Sequence, residues 1–300
     1  MNKIYLSGSG GMLGKAFYET FKGKYILKCT DIDVNEKWLS YLDFRDLETY
    51  QNSVNEFFPD YLFHIGAYTD LEYCELNKED TYNTNLESVK HAVKISNNLN
   101  IPLLYISTAG IFDGKKDVYD EDDKPIPLCN YAKSKYLAEV FVTKNSSKFF
   151  IFRAGWMMGG GLIKDKKFVK KIIDQIIKGY KEINVVDDKL GTPTYTIDFA
   201  KNIKLVIENE KFGLYNLVCE GVTGRYEVAC EIIKILNLYD VIKINKVDSS
   251  FFSKEYFAPR PASERLINKR LDNLKLNIMR DWKICLKEYL ENDFSNLILK

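Results

Sequence analysis

Through the first half of this 300-residue chain, short apolar runs take turns with stretches of helical spacing. KIYLS (3–7), YILKC (25–29), YLFHIGA (61–67), PLLYIST (102–108) and FFIFRAG (149–155) read as strands. KAFYETF (15–21), DLETYQNSVNEFF (46–58), TYNTNLESVKHAVKISNNL (81–99) and NYAKSKYLAEVFV (130–142) read as the helices between them. Strand and helix repeated in this way predict a doubly wound α/β unit, a parallel sheet covered on both faces and joined by right-handed crossovers. After GWMMGGG (155–161) the rhythm changes. A Lys-rich helix is expected near 165–179, then a strand at INVVD, a loop at DKLGTPTY and helices near 197–209 and 225–237. The last hundred residues mix short elements with loops and close on the helix WKICLKEYLE. Neither an internal repeat nor a low-complexity tether separates the halves.

Composition adds the classes to exclude. Lys plus Arg number 43 against 42 Asp plus Glu, a formal charge of +1, with the signs interspersed. Nothing in that balance points to nucleic acid or an anionic membrane as a partner. The six cysteines (29, 74, 129, 219, 230 and 285) form no Cys-x-x-Cys pair, and His64 and His91 are the only histidines that could complete a zinc set. Reduced, packed thiols in a cytoplasmic protein are expected. With a strand expected from residue 3, no signal peptide is expected, and no run of 18 apolar residues occurs.

Four glycines crowd the turn between the first strand and the first helix. Gly8, Gly11 and Gly14 give G-x-x-G-x-x-G, with Gly10 in addition, and Met12 and Leu13 open the helix. Such a turn uses one glycine for a positive φ, one to let the backbone approach a pyrophosphate and one for close packing of helix on sheet. The helix N-terminus then faces the anion. Asp31, about 20 residues beyond the glycines, ends the second strand and is placed to accept hydrogen bonds from the adenosine ribose. It would repel a 2′-phosphate, so NAD(H) is favoured over NADP(H), with Asp33 able to share the role.

A Tyr and a Lys at i, i+4 project from one helix face. Three such pairs occur, Tyr18/Lys22, Tyr131/Lys135 and Tyr239/Lys243, about the number that chance produces. Only Tyr131/Lys135 follows a strand ending in Ser107-Thr108, in a sheet that would bind ligands beyond its carboxyl ends. Reducing a ketone with a nicotinamide needs a proton donor at the oxygen that becomes an alkoxide. Tyr131 is expected to be that donor, its pKa lowered by the Lys135 ammonium, with Thr108 holding the carbonyl oxygen.

These residues resemble the extended short-chain dehydrogenase/reductase family and, within it, the dTDP-4-dehydrorhamnose reductases. The resemblance runs through LDFRD (42–46), GAYTDLEYCE (66–75), TNL (84–86), ISTAGIFDG (106–114), YDEDDKPIPLCNYAKSK (119–135), FRAGWMMG (152–159), VVDDKLGTPTY (185–195), GLYNL (213–217), APRPASERL (258–266) and the closing DWKICLKEYL. It implies a Rossmann-type NAD(P)-binding domain over 1–157, rejoined by 196–220 and 280–300. The smaller C-terminal α/β domain, 158–195 and 221–279, would bind the sugar nucleotide. The implied reaction is NAD(P)H-dependent reduction of the 4-keto group of a nucleotide-linked 6-deoxyhexose, for surface polysaccharide. Asp43 and Phe44 would lie near the adenine, Gly66, Ala67 and Tyr68 on the nicotinamide side, and Lys135 on the nicotinamide ribose. Trp156, the 189–194 loop with Lys189 and Thr194, and Arg260 would belong to the sugar-nucleotide pocket, with Ala109 beside the reacting sugar.

The chain also departs from the family. Ser107-Thr108-Ala109-Gly110 stands where these reductases usually read Ser-Thr-Asp-Tyr, which removes a carboxylate and an aromatic ring. Lys189 stands where glutamine is common, adding a charge that could meet a diphosphate. Some relatives carry a metal-binding glutamate just after the third glycine; Ala16 is here instead, so no metal is expected. His64 is expected as a satisfied core residue and KDKKFVKK (164–171) as a solvated helix face, although Lys167 could reach a diphosphate. The chain is expected to act as a monomer or homodimer. Two other readings stand beside the reductase: an epimerase that keeps its NAD, and a cofactor-binding regulatory subunit resembling that of methionine adenosyltransferase.

Overall fold

Alternate residues of the central strands divide between two buried layers, as the two-residue period of a strand requires. Ile4, Leu6, Phe63, Leu104, Phe150 and Phe152 join one hydrophobic cluster, while Tyr5, Leu62, Leu103, Tyr105 and Ile151 join another. With both faces covered, these strands read as uninterrupted apolar runs.

In the computed structural model, which describes residues 1–295, the strands concerned are β1 (Lys3–Ser7), β2 (Ile26–Asp31), β3 (Leu39–Tyr41), β4 (Tyr61–His64), β5 (Leu103–Thr108), β6 (Phe149–Ala154) and β11 (Gly213–Leu217). They form one seven-stranded sheet in the order β11-β6-β5-β4-β1-β2-β3, and every neighbouring pair is parallel. The direction of winding reverses between β1 and β4, which opens a crevice outside their carboxyl ends. Helices Met12–Phe21 and Thr196–Glu208 cover one face; Leu47–Phe57, Ser88–Leu99 and Asn130–Asn145 cover the other.

Beyond residue 155, β7 (Trp156–Met158) pairs in parallel with β10 (Pro193–Tyr195). β9 (Leu190–Gly191) lies between β12 (Thr223–Gly224) and β14 (Ser263–Glu264), and β8 (Glu182–Val186) pairs with β13 (Lys243–Val247). Helices Phe168–Ile177 and Arg225–Ile235 pack here, and Trp282–Asp293 closes the described chain. Ile183, Val185 and Ile232 share a cluster with Phe17 and Phe199, so a continuous core runs under both regions. The tail of the 280–300 segment, residues 296–300, lies outside the described residues. Among the described residues no helix is long and apolar enough to cross a membrane.

Three local expectations are corrected. DKLGTPTY is not a loop throughout: it contributes β9 and β10, whose edges are taken up by β7, β12 and β14. The three-residue β3 had no sequence signal. The single helix expected over 81–99 is an α-turn at Lys78–Tyr82, a π-helical turn at Asn83–Glu87 and the α-helix Ser88–Leu99. The wider turn rotates Asn85 inward, where it is fully buried and hydrogen-bonded.

Candidate active site

The glycine turn behaves as its spacing requires at two positions. Gly8 has φ +80, and a Cβ there would fall 2.1 Å from Gly66 Cα, so the loops after β1 and β4 meet backbone to backbone. A Cβ on Gly14 would fall 1.9 Å from Ser9 O, which fixes the helix against its own turn. By contrast, a Cβ on Gly11 would meet nothing within 4 Å. Gly11 caps the Met12–Phe21 helix without a side-chain hydrogen bond, leaving the first-turn N–H groups, including those of Met12 and Leu13, free to meet an anion. This cradle fits a dinucleotide pyrophosphate.

Asp31 closes the same end of the crevice. Its Oδ2 accepts from Gly10 N at 2.8 Å and its Oδ1 from Asp33 N at 2.9 Å, so the carboxylate is pinned over the glycine turn. The Asp33 carboxylate is turned aside to Asn35, whose Nδ2 donates to it at 2.9 Å. Asp43 is clamped by Arg45, which donates from Nε at 2.9 Å and from a terminal nitrogen at 2.7 Å and holds the carboxyl below its usual range. Phe44 sits under the β4 loop: a Cβ on Gly66 would touch its ring at 2.5 Å. Ala67 and Tyr68 follow, half-buried. Asn85 accepts from Tyr68 N at 2.8 Å and donates to Tyr68 O at 3.0 Å and Ser134 Oγ at 3.2 Å. That side chain ties the β4 loop to the helix of Tyr131 and Lys135.

Thr108 ends β5 half-buried, with its Oγ1 accepting from Gly110 N at 3.1 Å. Tyr131 lies in the first turn of Asn130–Asn145, and burial drives its pKa above 10 while the Thr108 hydroxyl opposes the rise. Lys135, one turn on, is 4% exposed and holds its Nζ 4.3 Å from the Tyr105 ring centre. Burial lowers its pKa to about 7, with Glu139 opposing. The expectation that the ammonium lowers the phenol is thus corrected: desolvation governs both groups, and Thr108 is the neighbour that favours the phenolate. Glu139 in turn accepts from Arg153 at 2.6 and 3.0 Å in a buried pair. His64 is a satisfied core residue, with Nδ1 3.0 Å from Ser7 Oγ, Nε2 3.1 Å from Ser88 Oγ and a pKa lowered to about 3 by burial.

The expected sugar-nucleotide residues are treated unequally. Trp156 lies against Gly191, whose Cβ would strike the indole at 2.1 Å. Lys189 Nζ donates to Arg260 O at 3.4 Å. Arg260 itself is held by Glu72 at 2.7 and 2.8 Å, so its guanidinium reaches a phosphate only by leaving a carboxylate. Thr194 is fully buried, its Oγ1 accepting from Gly155 N at 3.2 Å, and serves the β7–β10 junction. Ala109 is buried with Ile111 and Phe112. Lys167 donates to Thr69 at 2.9 and 3.1 Å and straps the second region to the β4 loop, so that stretch is not purely a solvated face.

Sequence reasoning missed Arg225, Glu264 and Asn85. Arg225 stacks its guanidinium 4.3 Å from the Trp156 ring and 4.9 Å from Phe168, with the Glu264 carboxylate nearby. Its one sequence signal is a basic residue directly after Gly224 at a helix start. Glu264 and Asn85 fall inside stretches quoted above, but no motif singles out either residue. Among the described residues no group of His, Cys, Asp or Glu is placed to hold a metal ion.

A glycine-cradled crevice at a sheet switch point, bordered by Thr108, Tyr131 and Lys135, defines the class of nicotinamide-binding α/β proteins. The chain belongs to the RmlD substrate binding domain family, whose model matches residues 1–294. It is 27% identical to the spore coat polysaccharide biosynthesis protein SpsK of Bacillus subtilis, over 97% of this chain and 98% of that protein. The structure is similar to that of a dTDP-4-dehydrorhamnose reductase from Clostridium acetobutylicum, with a TM-score of 0.88 and 30% identity over 96% of this chain and 98% of the other. A reductase of the same name from Bacillus anthracis, solved in complex with NADP, gives a TM-score of 0.88 and 27% identity over 96% and 98%.

Proposed function

We propose that the protein is a dTDP-4-dehydrorhamnose reductase-like oxidoreductase, which reduces the 4-keto group of a nucleotide-activated 6-deoxyhexose with NAD(P)H and supplies a sugar for surface polysaccharide. The observation that carries this reading is the Thr108 hydroxyl beside the Tyr131 phenol at the carboxyl end of β5, with Lys135 one turn further along the same helix, on a sheet whose glycine turn is shaped for a pyrophosphate. Relatives that bear the reductase name and match along nearly the whole chain support it.

Bound in the crevice, the nicotinamide supplies the hydride for the carbonyl carbon. The chain's residues do the rest. The amides after Gly11 bind the pyrophosphate, and Asp31 binds the adenosine ribose, which favours NAD(H) over NADP(H). Phe44 and the Gly66-Ala67-Tyr68 loop border the rings, with Asp43 oriented through Arg45. Thr108 holds the substrate carbonyl oxygen and Tyr131 donates its phenolic proton there as the alkoxide forms. The buried Lys135 binds the nicotinamide ribose, while the Thr108 hydroxyl favours the phenolate as Tyr131 gives up its proton. Residues 1–157 with 196–220 and 280–300 form the cofactor-binding part; 158–195 and 221–279, including Lys189, form the sugar-nucleotide part, against which Trp156 packs from the end of the first segment. The enzyme works in the cytoplasm as a monomer or homodimer, without a metal.

The test is direct. Purified protein is incubated with NADH or NADPH and a panel of dTDP-, UDP-, GDP- and CDP-4-keto-6-deoxysugars while nicotinamide absorbance is followed. Loss of absorbance with at least one sugar is expected; no loss with any would overturn the reading. Tightly held, non-exchanging NAD would instead favour an epimerase, and capture of an enzyme partner without turnover would favour a regulatory subunit.

A further inference from the structure

One carboxylate on the sugar side of the site has no part in the scheme above. Glu264, in β14, is half-buried, and its Oε2 accepts from Trp156 Nε1 at 2.7 Å. Its Oε1 has no hydrogen-bond partner among the described residues. A Cβ built on Gly110 would stand 3.2 Å from that free oxygen and 3.5 Å from Thr108 Oγ1. The free oxygen and the hydroxyl assigned to the carbonyl therefore flank the same short turn. Ala109 and Gly110 carry nothing beyond a methyl group, so the room beside Thr108 is open to a side chain arriving from β14. The indole that holds Glu264 is itself braced, with Arg225 on its face and Gly191 against its edge.

We propose that Glu264 reads the sugar, its free Oε1 accepting a hydrogen bond from the hexose hydroxyl on the carbon next to the reacting carbonyl. This rests on the reductase reading above and adds a specificity-determining residue to it. A carboxylate only accepts hydrogen bonds, so it favours a substrate with a donor at that carbon. A sugar without the donor would leave the acceptor unpaired in a closed site, and that mismatch discriminates more strongly than a lost apolar contact. Gly110 is part of the device, because any Cβ there crowds Oε1.

The test compares wild type with Glu264→Gln, which can still accept from Trp156 but presents a donor to the cleft. The first readout is kcat/KM for a 4-keto-6-deoxyhexose nucleotide relative to its 3-deoxy analogue. Wild type is expected to favour the hydroxylated sugar about ten-fold or more, and Glu264→Gln to lower that ratio several-fold, because the hydroxyl then meets a neutral amide in place of a charged acceptor. The second readout is calorimetric, the affinity for dTDP-rhamnose relative to dTDP in the presence of NAD. The advantage conferred by the sugar is expected to fall about ten-fold in Glu264→Gln, with an unchanged melting temperature confirming the fold. Turnover with the same sugar preference in both proteins overturns the role of Glu264 and leaves the reductase reading standing. No turnover, but a Glu264-dependent sugar affinity, overturns the reductase reading and sustains the role. Independence of Glu264 in both readouts overturns the proposal.

Discussion

Lys135 offers a prediction whose size follows from its burial. In the folded protein its pKa falls from 10.5 to about 7, whereas in the unfolded chain it titrates near 10.4. Between these values the unfolded chain binds a proton that the native state does not, so stability rises with pH across this window. Below pH 7 both states are protonated, and the cost of burying the ammonium is fully present. At about 1.4 kcal/mol per pKa unit, the full span is on the order of 5 kcal/mol, of which about 2 kcal/mol is recovered between pH 7 and pH 9. Glu139, Cys74, His64 and Tyr105 also surround this group, and replacing Lys135 by Met leaves them in place. Urea unfolding of wild type and Lys135→Met, without added nucleotide, isolates the lysine as a difference between two curves. The variant is expected to be the more stable at pH 7, with its advantage shrinking by about 2 kcal/mol at pH 9. Parallel pH profiles would mean that Lys135 titrates normally and is not desolvated in the fold.

Two further outcomes follow from other residues. Asp31→Ala is expected to relax the preference for NADH and to loosen the glycine turn, because Gly10 N loses its acceptor; an unchanged NADH/NADPH ratio of kcat/KM would place ribose recognition elsewhere. Glu139→Ala leaves Arg153 charged and buried, with one terminal nitrogen already unpartnered, and is expected to cost about 3–5 kcal/mol in urea unfolding. A loss below about 1 kcal/mol would equate the pair with a surface salt bridge.

The sheet was legible because its strands bury both faces, so Ile4, Tyr5 and Leu6 leave an apolar run that no other element imitates. The glycine turn was legible for a related reason, since Gly8 and Gly14 stand where backbone meets backbone and a side chain cannot fit. The Tyr131/Lys135 pair was found by its place after β5 rather than by its spacing. What the sequence hid were contacts made across long separations. Glu72 takes the guanidinium of Arg260, 188 positions away, and nothing near either residue announces it. Glu264 reaches Trp156 over 108 positions, and Thr194 is withdrawn from the pocket by a strand pairing too short to leave a pattern. The π-turn at Asn83–Glu87 escaped notice because its residues are ordinary helix residues and only the inward rotation of Asn85 reveals it. The sign of the Tyr131 shift was missed because helical spacing reports neighbours and says nothing of desolvation.

Replacing Tyr131 by Phe removes one phenolic oxygen and leaves the glycine turn, Asp31 and Lys135 in place. The decisive measurement is single-turnover oxidation of NADH by a 4-keto-6-deoxyhexose nucleotide in wild type and Tyr131→Phe, with NADH affinity measured in parallel. Proton donation from Tyr131 predicts a rate at least about 100-fold lower in the variant at nearly unchanged cofactor affinity; wild-type rates in Tyr131→Phe would contradict it.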